Sequence, residues 1–390
     1  KGYQISQDST PICGGGQVTI QTKDGEKQIQ LNRIHLEEDA GKSIHDLSPT
    51  DTLIDLNRAG TPLIEIVTEP CIHSAEDAFL YVTEVRKLVR WLGICDGNME
   101  EGSLRCDANI SVRLNGDNTL GTRVEVKNLN SIRNIKKAIE FEIERLIGLV
   151  ENGTPIMQQT RSFDASNDTT FAIRDKEDAN DYRYFPEPDL PPLHIHQAAI
   201  DKLQASMPPL PRALFEKYTQ TLNLSEYDAY NLTDSKAIAL YFEQVILHTS
   251  NYKAAANWIM GEVKSYLNEQ GIEIEAFPID ALRLAGLINL IHEGKVSNTI
   301  AAQRIFPVML TSTESALAIA ESLDLIQTTD NNAVEAAIKL VLDSNPAEVA
   351  RYKNGEKQLI GFFMGQFMKA SGGKVDPKTA NQALRNALEQ

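Results

Sequence analysis

The alternation of apolar and polar positions in the first 200 residues predicts short strands mixed with helices. Val18 to Thr22 and Lys27 to Leu36 alternate on either side of the turn signal Asp24-Gly25, which predicts an antiparallel hairpin. Arg105 to Arg113 and Thr122 to Lys127 are predicted as two further strands. The N-terminal half is therefore expected to contain antiparallel sheet.

The same half contains two amphipathic helical patterns. One begins at Ser74 with a capping-box spacing to Asp77 and ends at Gly93. The other follows Ser131 and places an isoleucine or leucine on one face at each turn. Both helices are expected to pack one apolar face against the sheet.

The second strand of the hairpin changes the parity of its apolar positions. Ile29 and Leu31 are followed by Ile34 and Leu36, although a strand keeps one apolar face only when these positions stay two residues apart. The change predicts a β-bulge, and the bulge would re-aim the acidic run Glu37-Glu38-Asp39.

Proline is dense between Phe185 and Pro192 and again between Met207 and Pro211, where regular structure cannot continue. Beyond this region the strand pattern gives way to successive helical segments. We predict an α+β fold with three domains. Residues 1–205 form a domain built on antiparallel sheet with packed helices, residues 206–330 an all-helical domain, and residues 331–390 a helical tail domain.

The composition is that of an ordinary folded protein, with 42% hydrophobic and 24% charged residues in 390. No apolar stretch reaches the roughly 20 residues of a membrane span. The four cysteines contain no CxxC pair, which argues against a zinc ribbon or a thioredoxin-like site. A net charge of −16 argues against broad, nonspecific binding to nucleic acid. Residues 351–390 nevertheless hold seven cations and three acids, either as a solvated helix surface or as a contact to a phosphate backbone.

Two groups of acids are candidates for holding a metal. Glu37-Glu38-Asp39 ends a predicted strand and offers the oxygens that magnesium prefers, although such a turn is also typical of solvated surface. Glu65 lies in the apolar segment 61–67, which we expect to be largely buried, so that it needs a metal, an arginine such as Arg58, or a proton. Gly41-Lys42-Ser43, shortly after the acidic run 37–39, resembles the end of a phosphate loop. It is not one, because Leu36 stands where that motif requires a glycine, five residues before Gly41.

Basic residues alternate with acids in two of the predicted strands. Arg105 and Lys127 are placed either to contact a metal-bound phosphate or to form ion pairs across a sheet. Arg183 lies in a turn-rich segment that would suit a loop crossing a cleft. No nucleophile motif of an amidase is present, so the chain is not expected to hydrolyse an amide itself.

Six segments stand out in order along the chain. They are Gly2 to Gln7, Leu36 to Ser43, Asp55 to Arg58 with Gly60 to Val67, Met99 to Ile110, Glu125 to Ser131 and Asp181 to Asp189. Through these segments the chain closely resembles the B subunit of the aspartyl/glutamyl-tRNA(Asn/Gln) amidotransferase, and the likeness covers essentially its whole length. The tail, from Met364-Gly365-Gln366 to Lys374, also resembles the tail domain of that family.

The resemblance implies a cradle domain with a kinase and transamidase site, followed by a helical domain and a tail that grips tRNA. In the family, ATP and Mg2+ convert the side-chain carboxylate of Glu or Asp on a misacylated tRNA into an acyl phosphate, from which ammonia displaces phosphate. The ammonia comes from a separate glutamine-hydrolysing amidase, and a small third protein completes a heterotrimer. Aminoacyl-tRNA is then the partner, with no DNA and no membrane, in the bacterial cytoplasm or in an organelle.

The resemblance also implies site residues. The metal ligands map to the Leu-Glu-Glu-Asp segment, where Glu38 is favoured over Glu37, and to Glu65. The chemistry of phosphate binding adds Lys127, Arg105 and Arg183, and the basic tail adds tRNA contacts at Lys369, Lys374 and Lys378.

One departure from the family concerns its first strand, which bears a Gly-x-Glu-x-His motif whose histidine is a further metal ligand. This chain starts downstream of that motif, so that part of the family's fold and one ligand are expected to be missing, and restoring the segment is expected to restore activity. The competing hypothesis is a noncatalytic tRNA-binding adaptor in which the acids form structural salt bridges.

Overall fold

The computed structural model describes residues 5–7, 10–44, 47–48, 50–175, 189–326, 331–370 and 377–389. The chain separates into two compact units, Lys1–Pro208 and Pro209–Gln390. The predicted domain limits at residues 205 and 330 stay predictions. None of the helices in the described ranges is both long and apolar enough to span a membrane.

The N-terminal unit holds all the strands of the described residues, arranged in three sheets. The order in the first sheet is β1-β3-β2, with β6 paired to β3; the second is β10-β9-β8-β7 and the third β4-β5. The strands are β1 (Cys13–Gly14), β2 (Gln17–Thr22), β3 (Gly25–Glu38), β4 (Lys42–Ile44), β5 (Leu53–Asp55), β6 (Pro62–Thr68), β7 (Ala108–Ile110), β8 (Val124–Lys127), β9 (Gln159–Asp164) and β10 (Thr169–Asp175).

The long strand β3 organises the first sheet. It forms the predicted hairpin with β2, closed by the pair Thr22 and Gly25, and it pairs antiparallel with β6 along its C-terminal half. The register with β6 shifts between Leu31 and Arg33, which confirms the predicted bulge. Beyond the shift the fully buried position is His35 rather than a neighbouring apolar residue, since Leu36 is exposed.

The second sheet is mostly antiparallel, but β8 and β9 run parallel to each other. The connection between them is the helix that follows Ser131, because parallel neighbours need a crossover. Only part of the predicted strand from Arg105 to Arg113 pairs, as β7, against β8. The α+β prediction is confirmed, with this parallel pair as an addition to it.

The helices of this unit are α1 (Ala75–Trp91), α2 (Ile132–Glu151) and α3 (Gln197–Ser206). Ser74 and Ser131 cap the first two, since each serine Oγ accepts a hydrogen bond from a backbone N–H three residues on, at 3.0 and 3.1 Å. Helices α1 and α2 and both larger sheets share one apolar core, which fixes the sheets relative to each other. Its most buried members include Ile20, Ile29, Val124, Val126, Ile135, Ala138, Leu146 and Phe163.

The described part of the C-terminal unit is helical. Its α-helices are α4 (Pro211–Glu216), α5 (Glu226–Leu232), α6 (Lys236–Val245), α7 (Tyr252–Trp258), α8 (Lys264–Gln270), α9 (Ala281–His292), α10 (Asn298–Ile300), α11 (Phe306–Met309), α12 (Ala316–Ser322), α13 (Asn331–Asp343), α14 (Pro346–Lys353), α15 (Ile360–Ala370) and α16 (Pro377–Glu389). Helices α13 to α16 enclose a core of their own, which includes Tyr352, Phe363, Phe367 and Leu384.

Candidate active site

The register between β3 and β6 brings polar side chains together on one face of the first sheet. His35 lies directly opposite Glu65, and Glu37 lies opposite Leu63, two pairs further along the ladder. Side chains of a strand alternate between its two faces, so His35 and Glu37 share a face with Glu65. We call His35, Glu37 and Glu65 the carboxylate–histidine cluster.

The ligand atoms of this cluster converge. His35 Nε2 lies 3.1 Å from Glu37 Oε1 and 3.5 Å from Glu65 Oε2, and one ligand atom from each residue lies within 4.8 Å of the others. The His35 side chain is 1% exposed, that of Glu37 13% and that of Glu65 51%. A convergent set of this kind, with one open side, can hold a cation that also contacts a substrate.

The electrostatics of the cluster favour binding of a cation. Partial burial and the negative charge of Glu37, with a smaller effect from Asp107, raise the pKa of Glu65, and the neighbouring basic side chains of His35 and Arg33 only partly oppose them. Two carboxylates at this distance repel each other in their ionised forms, so a bound cation would relieve the repulsion.

The expectation that Glu65 is largely buried is wrong. Strand β6 pairs only with β3 among the described strands, and this edge position leaves the outer side of Glu65 open. Arg58, one of the partners considered for Glu65, bonds to Asp39 instead. The apolar residues around Glu65 predicted a strand correctly but not a buried one.

The two adjacent glutamates of β3 have different surroundings. Glu37 accepts a hydrogen bond from Ser6 Oγ at 2.7 Å and lies in the cluster. Glu38 lies on the opposite face, where its Oε1 accepts from the backbone N–H of Ile5 at 3.4 Å. The structure thus brings Glu37 and Glu65 together and separates Glu38 from them. The ligand roles of all three glutamates stay predictions.

His35 is the member of the cluster that the sequence analysis missed. The signal was present, since His35 and Glu37 are two residues apart on a predicted strand and so share one face. Both groups near His35 Nε2 are carboxylate oxygens, which only accept, so we assign the ring proton to Nε2. Within the described residues the buried Nδ1 has no hydrogen-bond partner.

Lys127 ends β8 beside two acids of the second sheet. Its ammonium donates to Asp107 Oδ2 at 2.5 Å and lies 3.2 Å from Glu125 Oε1. Burial opposes the charged form of Lys127, but these two carboxylates outweigh it and raise its pKa. Asp107 thus pairs with Lys127 and also contributes the smallest effect to the raised pKa of Glu65.

Arg105 bonds to Asp39, and so does Arg58. Asp39 Oδ2 accepts from Arg58 Nε at 2.7 Å and from Arg105 Nη2. Burial opposes ionisation of Asp39, but the hydrogen bonds from Arg58 and Arg105 outweigh it and hold the pKa of this carboxyl below its usual range.

The remaining predicted site residues are Arg183 and the tail lysines Lys369, Lys374 and Lys378. Arg183 and Lys374 lie outside the described residues. Lys369 is exposed near the end of α15, and Lys378 lies in α16.

The structure combines an α+β domain that carries the cluster with a helical region, and known families match both parts. Residues 1–201 match the family model of the GatB/GatE catalytic domain, and residues 240–388 match that of the GatB domain. The class is therefore an amidotransferase subunit with a catalytic N-terminal domain.

Curated relatives give the family more specifically. The B subunit of the aspartyl/glutamyl-tRNA(Asn/Gln) amidotransferase of Hydrogenovibrio crunogenus is 49% identical over 390 residues, and that of Chlorobium phaeobacteroides (strain BS1) is 47% identical over 389. The corresponding protein of Ectopseudomonas mendocina is 48% identical over 394 aligned positions. Each comparison covers the whole chain and 82% of the relative. The chain belongs to the family of B subunits of the aspartyl/glutamyl-tRNA(Asn/Gln) amidotransferase, which confirms the family predicted from the sequence.

Proposed function

We propose that this chain catalyses the ATP-dependent amidation of Glu-tRNA(Gln), Asp-tRNA(Asn) or both. The carboxylate–histidine cluster is the observation that supports this proposal most, because it offers a cation site on the domain that matches the family's catalytic model. The names of the relatives supply the class of substrate, aminoacyl-tRNA.

The proposed reaction has two steps. A side-chain carboxylate oxygen of the tRNA-bound Glu or Asp attacks the γ-phosphorus of ATP, and ADP leaves, which gives an acyl phosphate. Ammonia then attacks the acyl carbon, inorganic phosphate leaves and a proton is released, which gives the amide. Both steps place negative charge on phosphate oxygens, so the protein must supply positive charge there.

The residues of the cluster suit Mg2+, because a hard cation prefers carboxylate oxygens and Glu37 and Glu65 offer them on one face. Bound there, the ion would neutralise phosphate charge. The role of His35 follows from its ring proton. If Nε2 bound the ion, the proton would have to move to Nδ1, for which the described residues offer no acceptor. We therefore propose that His35 orients the two carboxylates through Nε2–H.

Lys127, Arg105 and Arg183 are proposed to complete the positive surroundings of the phosphates. Lys127 is held by Asp107 and Glu125, and Arg105 is held by Asp39. The tRNA is proposed to contact Lys369, Lys374 and Lys378 in the tail. Ammonia is proposed to come from a glutamine-hydrolysing amidase, which forms a heterotrimer with this chain and a small third protein. Residence in the bacterial cytoplasm stays a prediction.

The experiment that tests this function compares the wild type with Glu65→Gln, both as the full-length protein assembled with its partners. Glu-tRNA(Gln) is incubated with ATP, Mg2+ and ammonium chloride, and Gln-tRNA(Gln) is quantified while tRNA affinity is measured in parallel. We expect the variant to lose ATP-dependent amidation and to bind tRNA as the wild type does. Undiminished amidation by the variant would contradict the metal assignment. Firm tRNA binding without any amidation by the wild type would favour the adaptor hypothesis.

A further inference from the structure

Asp39 directly follows β3, and its backbone bonds to two residues of the turn before β6. Its backbone N–H donates to Thr61 O at 2.8 Å, and its carbonyl oxygen accepts from the N–H of Gly60 at 2.9 Å. Asp39 is two residues from Glu37, the spacing at which the side chains of an extended chain return to the same face. The distance along the strand between the two positions is about 7 Å.

Two arginines from different segments converge on the Asp39 carboxylate. Arg58 lies in the turn before β6, where Thr61 N donates to Arg58 O at 3.1 Å. Arg105 lies just before β7, after the turn that contains Gly102. Both guanidinium groups donate to the same oxygen, Asp39 Oδ2, although a single guanidinium can occupy both oxygens of a carboxylate. Two positive charges and one negative charge leave a local excess of +1.

The turn that contains Gly102 fixes both guanidinium groups from the other side. Arg58 Nη1 donates to Glu101 O and Arg105 Nε donates to Gly102 O, each at 3.4 Å. Gly102 has a φ of +76°, which favours glycine, and a Cβ added there would lie 3.6 Å from Arg58 Nη1 and 3.9 Å from Arg105 Nε. The positive φ is therefore the feature of this turn that favours glycine, since a Cβ at these distances would make only ordinary contacts with both groups.

Arg58 and Arg105 are both partly exposed, and each has an N–H donor without a partner among the described residues. Their side chains are 39% and 55% exposed, while that of Asp39 is only 11% exposed. For Arg58 Nη2 and Arg105 Nη1 no hydrogen-bond partner is found in the described part of the chain. An ion pair that only stabilises the fold needs one guanidinium for the carboxylate. It needs no second guanidinium on the same oxygen and no unused donors at an exposed edge.

We propose that Arg58 and Arg105, positioned by Asp39, form a phosphate-binding subsite that takes the polyphosphate of the nucleotide beside the carboxylate–histidine cluster. Planar guanidinium groups match the oxygens of a phosphate, and the strand positions of Glu37 and Asp39 are only about 7 Å apart, so one polyphosphate can contact both groups of residues. One part of that chain would face the cation at Glu37 and Glu65, and another part the two arginines. The subsite rests on the proposed function, deepens it by adding Arg58, and gives Asp39 the role of a positioning residue.

The test measures nucleotide affinity by calorimetry with the full-length protein assembled with its partners, using Mg2+ and a non-hydrolysable ATP analogue. We expect Arg58→Gln and Arg105→Gln each to weaken binding of the analogue by about tenfold or more, since each loses charge-assisted hydrogen bonds. Binding of adenosine, which lacks phosphate, should not change. Arg113→Gln is the matched control, because Arg113 is an exposed arginine of the same unit that donates to Asn118 O. It should bind the analogue as the wild type does.

Asp39→Asn tests the positioning role, since it keeps the shape of the side chain and removes its charge. We expect binding of the analogue to weaken by clearly more than the affinity of the cluster for Mn2+, which should fall only severalfold through loss of one charge about 7 Å away. If this variant does not fold, the two arginine variants still test whether Arg58 and Arg105 bind the phosphates of the analogue. Wild-type affinity in both would overturn the subsite. Loss of tRNA affinity with unchanged affinity for the analogue would also overturn it, in favour of an RNA phosphate. Failure of the wild type to bind the analogue at all would overturn the proposed function itself.

Discussion

The two adjacent glutamates of β3 provide a sharp test of the proposed cation site. Glu37 lies in the carboxylate–histidine cluster, while Glu38 has the same charge on the opposite face. Glu37→Gln and Glu38→Gln therefore remove equal charges one residue apart. We expect Glu37→Gln to weaken cation binding strongly and Glu38→Gln to change it little.

The expected magnitudes follow from distance and solvent. At about 4 Å and an effective dielectric constant of about 20, the attraction between a divalent ion and one carboxylate is roughly 8 kcal/mol, and desolvation of the ion offsets a large part of it. A remaining loss of about 1.4 kcal/mol already corresponds to tenfold weaker binding, which we take as the minimum for Glu37→Gln. From the other face, at roughly 10 Å and through water, a divalent ion gains only about 0.8 kcal/mol from Glu38, or roughly fourfold.

The assay is Mn2+ binding followed by electron paramagnetic resonance, on the full-length protein assembled with its partners. Circular dichroism of each variant checks that the fold is retained. A larger loss for Glu38→Gln than for Glu37→Gln would refute the register argument. Wild-type affinity in both variants would refute a cation site at this face.

Three further predictions concern stability and the tail. Glu142 is fully buried and bonded to two arginines and a threonine, so Glu142→Gln should cost about 3–5 kcal/mol in denaturant unfolding, and a loss below about 1 kcal/mol would contradict this. Burial opposes ionisation of Asp228, but hydrogen bonds from Lys253 and Ser225 outweigh it and hold the pKa of Asp228 below its usual range. Its contribution to stability is thus present above about pH 4 and is lost as the pH falls through the lowered pKa. Asp228→Asn should lower the Tm at pH 7, and its difference from the wild type should disappear in acid; a constant difference would count against the ion pair. Replacing Lys369 and Lys374 by glutamine should weaken tRNA binding and reduce its salt slope by about one per lost phosphate contact, whereas an unaltered slope would exclude both lysines from the contact.

Local patterns predicted the elements of the fold that depend on neighbouring residues. The hairpin of β2 and β3, the serine caps of α1 and α2 and the bulge in β3 all follow from periodicity, turn chemistry and capping. The parallel pairing of β8 with β9 depends on how α2 packs, which no short segment encodes. Likewise, the paired part of the strand predicted from Arg105 to Arg113 depends on its partner β8.

The candidate site was predicted in part, and the limits have physical causes. Glu37 and Glu65 were singled out as acids, but their meeting depends on the register between β3 and β6. The same register places Glu38 on the opposite face of the sheet from Glu65, so the two side chains are not neighbours. The exposure of Glu65 follows from the edge position of β6, and the pairing of Arg58 and Arg105 with one carboxylate joins residues far apart in the sequence. Composition and spacing contain none of these long-range relations.

The central claim is that this chain makes the amide of a tRNA-bound side chain at the expense of ATP. The most direct measurement supplies Glu-tRNA(Gln) or Asp-tRNA(Asn), Mg2+ and ammonium chloride to the full-length protein with its partners, with ATP and without it. Ammonium chloride removes the need for glutamine hydrolysis. The account predicts Gln-tRNA(Gln) or Asn-tRNA(Asn), together with ADP and phosphate, only when ATP is present. Amide formed equally well without ATP, or none with either tRNA despite firm tRNA binding, would contradict it.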